Sequence, residues 1–350
     1  MGSAGPSVVD RLLDDDLGRD PVTGEGLSNH LPMALIALHR LGADDERLRR
    51  FAARYRTRLV PVRSPTGPVP PGERPPLGIG RHLGDLLAHY RGAIAADGVD
   101  PVLRRDLPGL MPGLGGAAFH GLIRLGYALD HGRDVDVAAG LAYLADVTQP
   151  VPVPRPGGDL TAAGLIAALG ETMGAGARRG AGEGFSSAFA RVAADPRFVA
   201  AADRVAVGTV GLDAVARLTH GLYAGTRDFF ALHTLTATHA TRLVLDRMDE
   251  SDRPATVAAL AVAVTAAWVV VGAPAFAPMP EAGAGGGTDV AAADVPSWER
   301  IAAEAVADDD EHVIKVVYSC REEARARADE RYRTTAAAAV PGARAGAADP

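Results

Sequence analysis

Apolar residues recur at spacings of three and four along most of the chain, the period of a helix that buries one face. The run NHLPMALIALHRLGADDERLRRFAARYRTRL, residues 29–59, shows it first. Stretches 79–97, 115–131, 136–147, 161–173, 210–247 and 296–332 repeat it. Alternating strand patterns are scarce, so the predicted fold class is mainly α, a large single-domain, bundle-like helical fold with Pro/Gly-rich loops. Residues 61–78 carry seven prolines and cannot continue a helix. Breaks also fall at 149–159 and at the glycine-rich 273–290. The predicted organisation is an N-terminal segment 1–26, a helical domain 27–333, and a disordered tail 334–350 without large apolar residues.

Residues 255–272, ATVAALAVAVTAAWVVVG, are apolar apart from two threonines. The run is at the short edge of the ~20 residues a bilayer crossing needs, and alanine makes up much of it, so it reads as a buried core helix. A chain of 350 residues with 47% hydrophobic content can bury a sizeable core. The net charge of -7 gives no basic footprint for nucleic acid or anionic lipid, which leaves a small molecule as the expected partner, with no nucleic acid and no membrane. Cys320 is the single cysteine, which excludes an intrachain disulfide and a multi-cysteine zinc site. With no secretory pattern at the N-terminus, a cytoplasmic location is expected.

The basic residues are unbalanced in kind. Lys315 is the only lysine among 36 basic residues, and it sits in EHVIKVVYSC between Val313, Ile314, Val316 and Val317. Ser297 reads as the N-cap of a long helix, or of two with a kink near the aspartates, on which His312 and Lys315 share a face and Asp308 lies one turn before His312. Burial disfavours the ammonium form, and a neutral amine can act as a base, form a Schiff base, or add carbon dioxide to give a carbamate that binds metal. Arginine does none of these. The plainer alternative is an ion pair of Lys315 with Asp308 or Glu311.

Four of the ten histidines lie in apolar helical contexts on different predicted helices: His30, His120, His233 and His312. A single such histidine is ordinarily a hydrogen-bonded core residue, but four on different predicted helices, one of them adjacent to an isolated lysine, suit a metal site built from inward side chains of facing helices. Nitrogen ligands with one anionic oxygen suit iron, and ligand type alone leaves zinc and manganese open.

The segments SNHLPMALIALHRLGA, AAFHGLIRLGYAL, DFFALHTLTATHA and DDDEHVIKVVYS, in that order over residues 27–330, resemble the questin oxidase-like family. Fungal members act on anthraquinone-type polyketides. One activity is a Baeyer–Villiger-type ring opening with NADPH, and another member resembles a non-haem iron dioxygenase with four histidines and a carboxylated lysine. Carried over by motif, the resemblance implies His30, His120, His233, His312 and carboxylated Lys315 as ligands of a mononuclear Fe(II), with His220 and His239 as substitutes. Asp308 or Glu311 would orient His312. His39, His82, His89 and His131 read as surface residues.

The expected function is an oxygenase that takes an aromatic or quinone substrate and dioxygen. The alternatives are an NADPH-dependent oxidase in which Lys315 and His312 act without metal, and a non-catalytic helical binding protein. Residues 113–118, GLGGAA, match a dinucleotide-type glycine spacing but follow LPGLMP rather than a strand, so they read as a loop.

Overall fold

The computed structural model describes residues 6–62, 76–78, 80, 82–155, 157–173, 177–279 and 295–340. Sixteen α-helices lie among the described residues, with only isolated bridges of strand type, so the protein is mainly α. The chain divides into two compact units. The first joins the two ends of the sequence, Met1–Arg63 with Ala282–Pro350, and the second is Ser64–Glu281.

In the first unit, α1 (Val8–Asp16) begins with a reciprocal cap between Ser7 and Asp10. The long pattern at 29–59 resolves into α2 (Leu31–Leu41) and α3 (Asp45–Tyr55), because Asp44 caps a new helix on the Arg47 N–H. The helix expected at 296–332 likewise resolves into α14 (Trp298–Ala307) and α15 (Glu311–Arg327). Three aspartates cause that break. Asp308 accepts from the Asp310 N–H, Asp310 caps α15, and Asp309 pairs with Arg47 at 3.0 Å and with Arg54. Helix α15 packs on α2, on α14 and on α16 (Arg331–Ala337). The start of the expected disordered tail is therefore ordered: Ala336, Ala337, Ala339 and Val340 are buried, small residues serving where large apolar ones are lacking. Residues 341–350 lie outside the described residues.

The second unit contains α4 (Leu83–Asp97), α5 (Val99–Leu110), α6 (His120–His131), α7 (Asp134–Val147), α8 (Ala162–Thr172), α9 (Phe185–Ala193), α10 (Pro196–Ala202), α11 (Leu212–Thr226), α12 (Phe229–Leu245) and α13 (Arg253–Val270). Helix α6 is its centre, packed between α7 and α12. The pattern at 210–247 breaks at Arg227, which takes a left-handed φ of 51°, and Asp228 restarts the chain as α12 by accepting from the Phe230 and Ala231 N–H groups. Helix α13 is long and apolar enough to cross a membrane by length and composition. It packs against α12 and α9, and every residue from Thr256 to Val270 is buried. Most of the proline-rich 61–78 and of the glycine-rich 273–290 lies outside the described residues.

Candidate metal centre

The first unit brings His30, His312 and Lys315 together. His30 is the N-cap of α2, and its backbone N–H donates to the Tyr55 hydroxyl at 2.9 Å. Its ring Nδ1 lies 2.7 Å from the Ser28 carbonyl oxygen, which can only accept, so the proton sits on Nδ1 and the lone pair on Nε2. His312 is the second residue of α15, and its ring centroid is 4.7 Å from that of His30. The Asp310 carboxylate accepts from the His312 backbone N–H at 2.8 Å and from Nδ1 at 3.2 Å. That double contact lowers the Asp310 pKa to about 2, so the group stays ionised. Burial lowers the His312 pKa, and the nearby Lys315 adds to this, which leaves the imidazole neutral at pH 7.

Lys315 lies one turn further along α15 and is fully buried. Burial pulls its amine down to about 7, against the opposing pull of Glu311 and Asp310. The amine is thus close to half neutral at neutral pH, as carbamate formation requires.

In the second unit, α6 and α12 bring His120 and His233 to a centroid separation of 4.5 Å. His233 Nδ1 donates to the Phe229 carbonyl at 2.8 Å, one turn back on its own helix. His120 Nδ1 donates to the Ala117 carbonyl. That carbonyl is aimed by an uncommon backbone: Ala117, Ala118 and Phe119 all have positive φ, at 48°, 54° and 67°. Each left-handed non-glycine residue costs roughly 1–2 kcal/mol, and such strain collects at functional sites. The glycine-rich 113–118 proves to be the approach to this turn, with Gly116 so close to the Val147 carbonyl that a Cβ would stand 1.7 Å from its oxygen.

All four histidines therefore place the proton on Nδ1 and present Nε2, the arrangement by which metal-ligating imidazoles are held. His239 is different. The Arg242 guanidinium donates to its Nδ1 at 3.2 Å, so its proton sits on Nε2, and its ring lies edge-on to Tyr127. His220 is buried on α11. His39 is exposed, and His82, His89 and His131 are half-buried.

The carboxylate that orients His312 is Asp310, rather than Asp308 or Glu311. Asp308 is the C-cap of α14 and accepts from the Asp310 N–H, while Glu311 pairs with Arg58 at 3.2 Å. In the sequence the only sign of this role is an aspartate two residues before the histidine, at an N-cap position. Tyr55 was not singled out by the sequence either; burial raises its pKa and keeps the hydroxyl protonated beside His30.

With this geometry in view, comparison with known families is decisive: the questin oxidase-like family model matches residues 27–320. The chain belongs to the questin oxidase-like family. Membership points to an oxidoreductase, an oxygenase on polyketide-type substrates that takes a small molecule and dioxygen. None of the curated proteins matches this questin oxidase-like chain.

Proposed function

We propose that this questin oxidase-like protein oxidises aromatic or quinone substrates through a mononuclear iron centre held by His30, His120, His233, His312 and carboxylated Lys315. The observation that carries the reading is the common tautomer of the four histidines, each with Nδ1 engaged and Nε2 bearing the lone pair. A neutral buried amine completes the donor set. Its Nζ attacks carbon dioxide, a nitrogen–carbon bond forms, one proton leaves, and the product is an anionic oxygen donor of the kind iron accepts beside imidazoles. When bound, ferrous iron supplies the activation of dioxygen. The protein's own part is positional. Ser28, Ala117, Phe229 and Asp310 fix the four rings, and burial of His233 and Lys315 excludes water.

Protein purified without oxygen is expected to hold close to one iron per chain, read by elemental analysis. Alanine at His30, His120, His233 or His312 should each lower occupancy, and His82→Ala should not, since His82 only approaches Asp85 at 3.4 Å. An iron-free chain that still consumes a hydroxylated anthraquinone with NADPH would replace this reading with the metal-free one.

Asp310→Asn tests the orientation of His312. Asparagine is as good an N-cap as aspartate, so α15 should persist. The amide no longer accepts as an anion from Nδ1, and iron affinity should fall by about 10–100-fold. Competition with a calibrated chelator measures this directly, and unchanged affinity would remove Asp310 from the centre.

A further inference from the structure

A pocket of about 500 Å³ opens in the second unit between the loop at 178–182, the start of α12 and the end of α13. This lies within the range of about 300–1,000 Å³ typical of small-ligand sites. Its walls combine two features. Phe229 is 49% exposed, and among the described residues it is the only aromatic in the set of exposed large hydrophobic side chains. Beside it stand Arg178 and Arg179, against a single carboxylate, Asp228, whose Oδ1 already accepts from two backbone N–H groups of α12.

The two arginines are held differently. Arg179 is tied in place: its guanidinium lies 5.5 Å from the Phe230 ring centroid and donates to the Glu183 carbonyl at 2.7 Å. Arg178 rests its aliphatic stem against Gly272, and no carboxylate among the described residues pairs with its guanidinium. The loop carrying both is braced by Arg191, which forks onto Glu183 at 2.9 and 3.1 Å and also donates to the Ala177 and Arg178 carbonyls. The braced loop thus presents, at the rim of an aromatic wall, a cation that no carboxylate among the described residues pairs with.

The wall also touches the candidate centre. The Phe229 ring lies 4.9 Å from the His233 ring, and the Phe229 carbonyl is the acceptor that sets the His233 tautomer. We propose that this pocket receives an anionic aromatic molecule, a ring bearing a carboxylate or an ionised phenol, with the ring on Phe229 and the oxyanion on Arg178. The substrate class of the oxygenase is thereby narrowed to acidic aromatics. This rests on the proposed function only for the role of His233; the binding itself does not.

The test uses metal-depleted full-length protein and two probes of nearly equal shape, anthraquinone-2-carboxylate and the neutral anthraquinone-2-carboxamide, titrated by calorimetry. A charge-assisted contact at an open rim should favour the carboxylate by about tenfold. Arg178→Gln should remove that preference and leave the carboxamide affinity as it was. Phe229→Leu should weaken both probes alike. Equal affinity for the two probes in the unmodified chain, or a carboxylate preference that survives Arg178→Gln, overturns the proposal. A chain that shows the preference but never takes up iron keeps this pocket and discards the metal centre, while an iron-loaded chain without the preference does the reverse.

Discussion

Lys315→Arg is expected to yield a chain with almost no iron and no turnover. The guanidinium is always protonated, cannot form a carbamate, and would place a positive charge where the proposed centre calls for an anionic donor. The loss should exceed the about 10–100-fold effect of removing a ligand's outer partner. Because a buried guanidinium could also unfold α15, Lys315→Met is the cleaner variant, close in length, uncharged and suited to a fully buried position. It should melt higher than the native metal-free chain while holding no iron. The pH dependence follows from the lowered pKa. Between about 7 and its ordinary value near 10.5, Lys315 is neutral when folded and protonated when unfolded, so unfolding takes up a proton. Stability of the metal-free, carbon dioxide-free chain therefore rises with pH across that window, and Lys315→Met should remove this contribution. Melting curves at several pH values measure it, and a Lys315→Arg protein that kept iron and turnover would return the residue to an ordinary ion pair.

Gly126→Leu is expected to destabilise the second unit strongly. Gly126 lies where α6 crosses α12, and even a Cβ there would stand 2.6 Å from the Ala240 Cβ and 2.7 Å from its Cα. Those are main-chain-bound atoms that cannot swing aside, so the helices must separate. Overpacking of this kind costs about 3 kcal/mol or more. In a protein of 350 residues that is a fall in Tm of about 4 °C or more by circular dichroism. The same two helices carry His120 and His233, so iron occupancy should fall as well. A variant with unchanged Tm would show that α6 and α12 can part without penalty.

These two positions differ in how visible they are beforehand. Lys315 announces itself in the sequence, because one lysine among valines and isoleucine contradicts its surroundings. The helical fold is legible for the same reason, since apolar periodicity is local and survives without knowledge of what each helix meets. Gly126 gives no such sign: its role depends on which helix crosses α6, which periodicity does not encode. The left-handed turn at Ala117–Phe119 is equally silent, because alanine and phenylalanine carry no preference for positive φ. The three aspartates at 308–310 fall between these cases. Their sequence marks a helix boundary, but which one caps α15, and so orients His312, is decided by where that helix begins. Helix α16 was missed because threonine and alanine look too weakly apolar to be buried, although on α15 they are.

The first unit is assembled from both ends of the chain, and this imposes an order on how the protein is made. His30 leaves the ribosome before residues 64–281 and His312 after them. At about 5–20 residues per second, that interval is on the order of a quarter of a minute to one minute. Throughout it, α2 waits without its partner α15, and the apolar residues Leu31, Met33, Leu35, Ile36 and Leu38, which are buried in the finished fold, lack that cover. The nascent chain thus carries an apolar face on α2 that stays without this cover until α15 is made. Lys315 follows on α15, so under the proposed reading any uptake of carbon dioxide at this amine waits until that helix has been made.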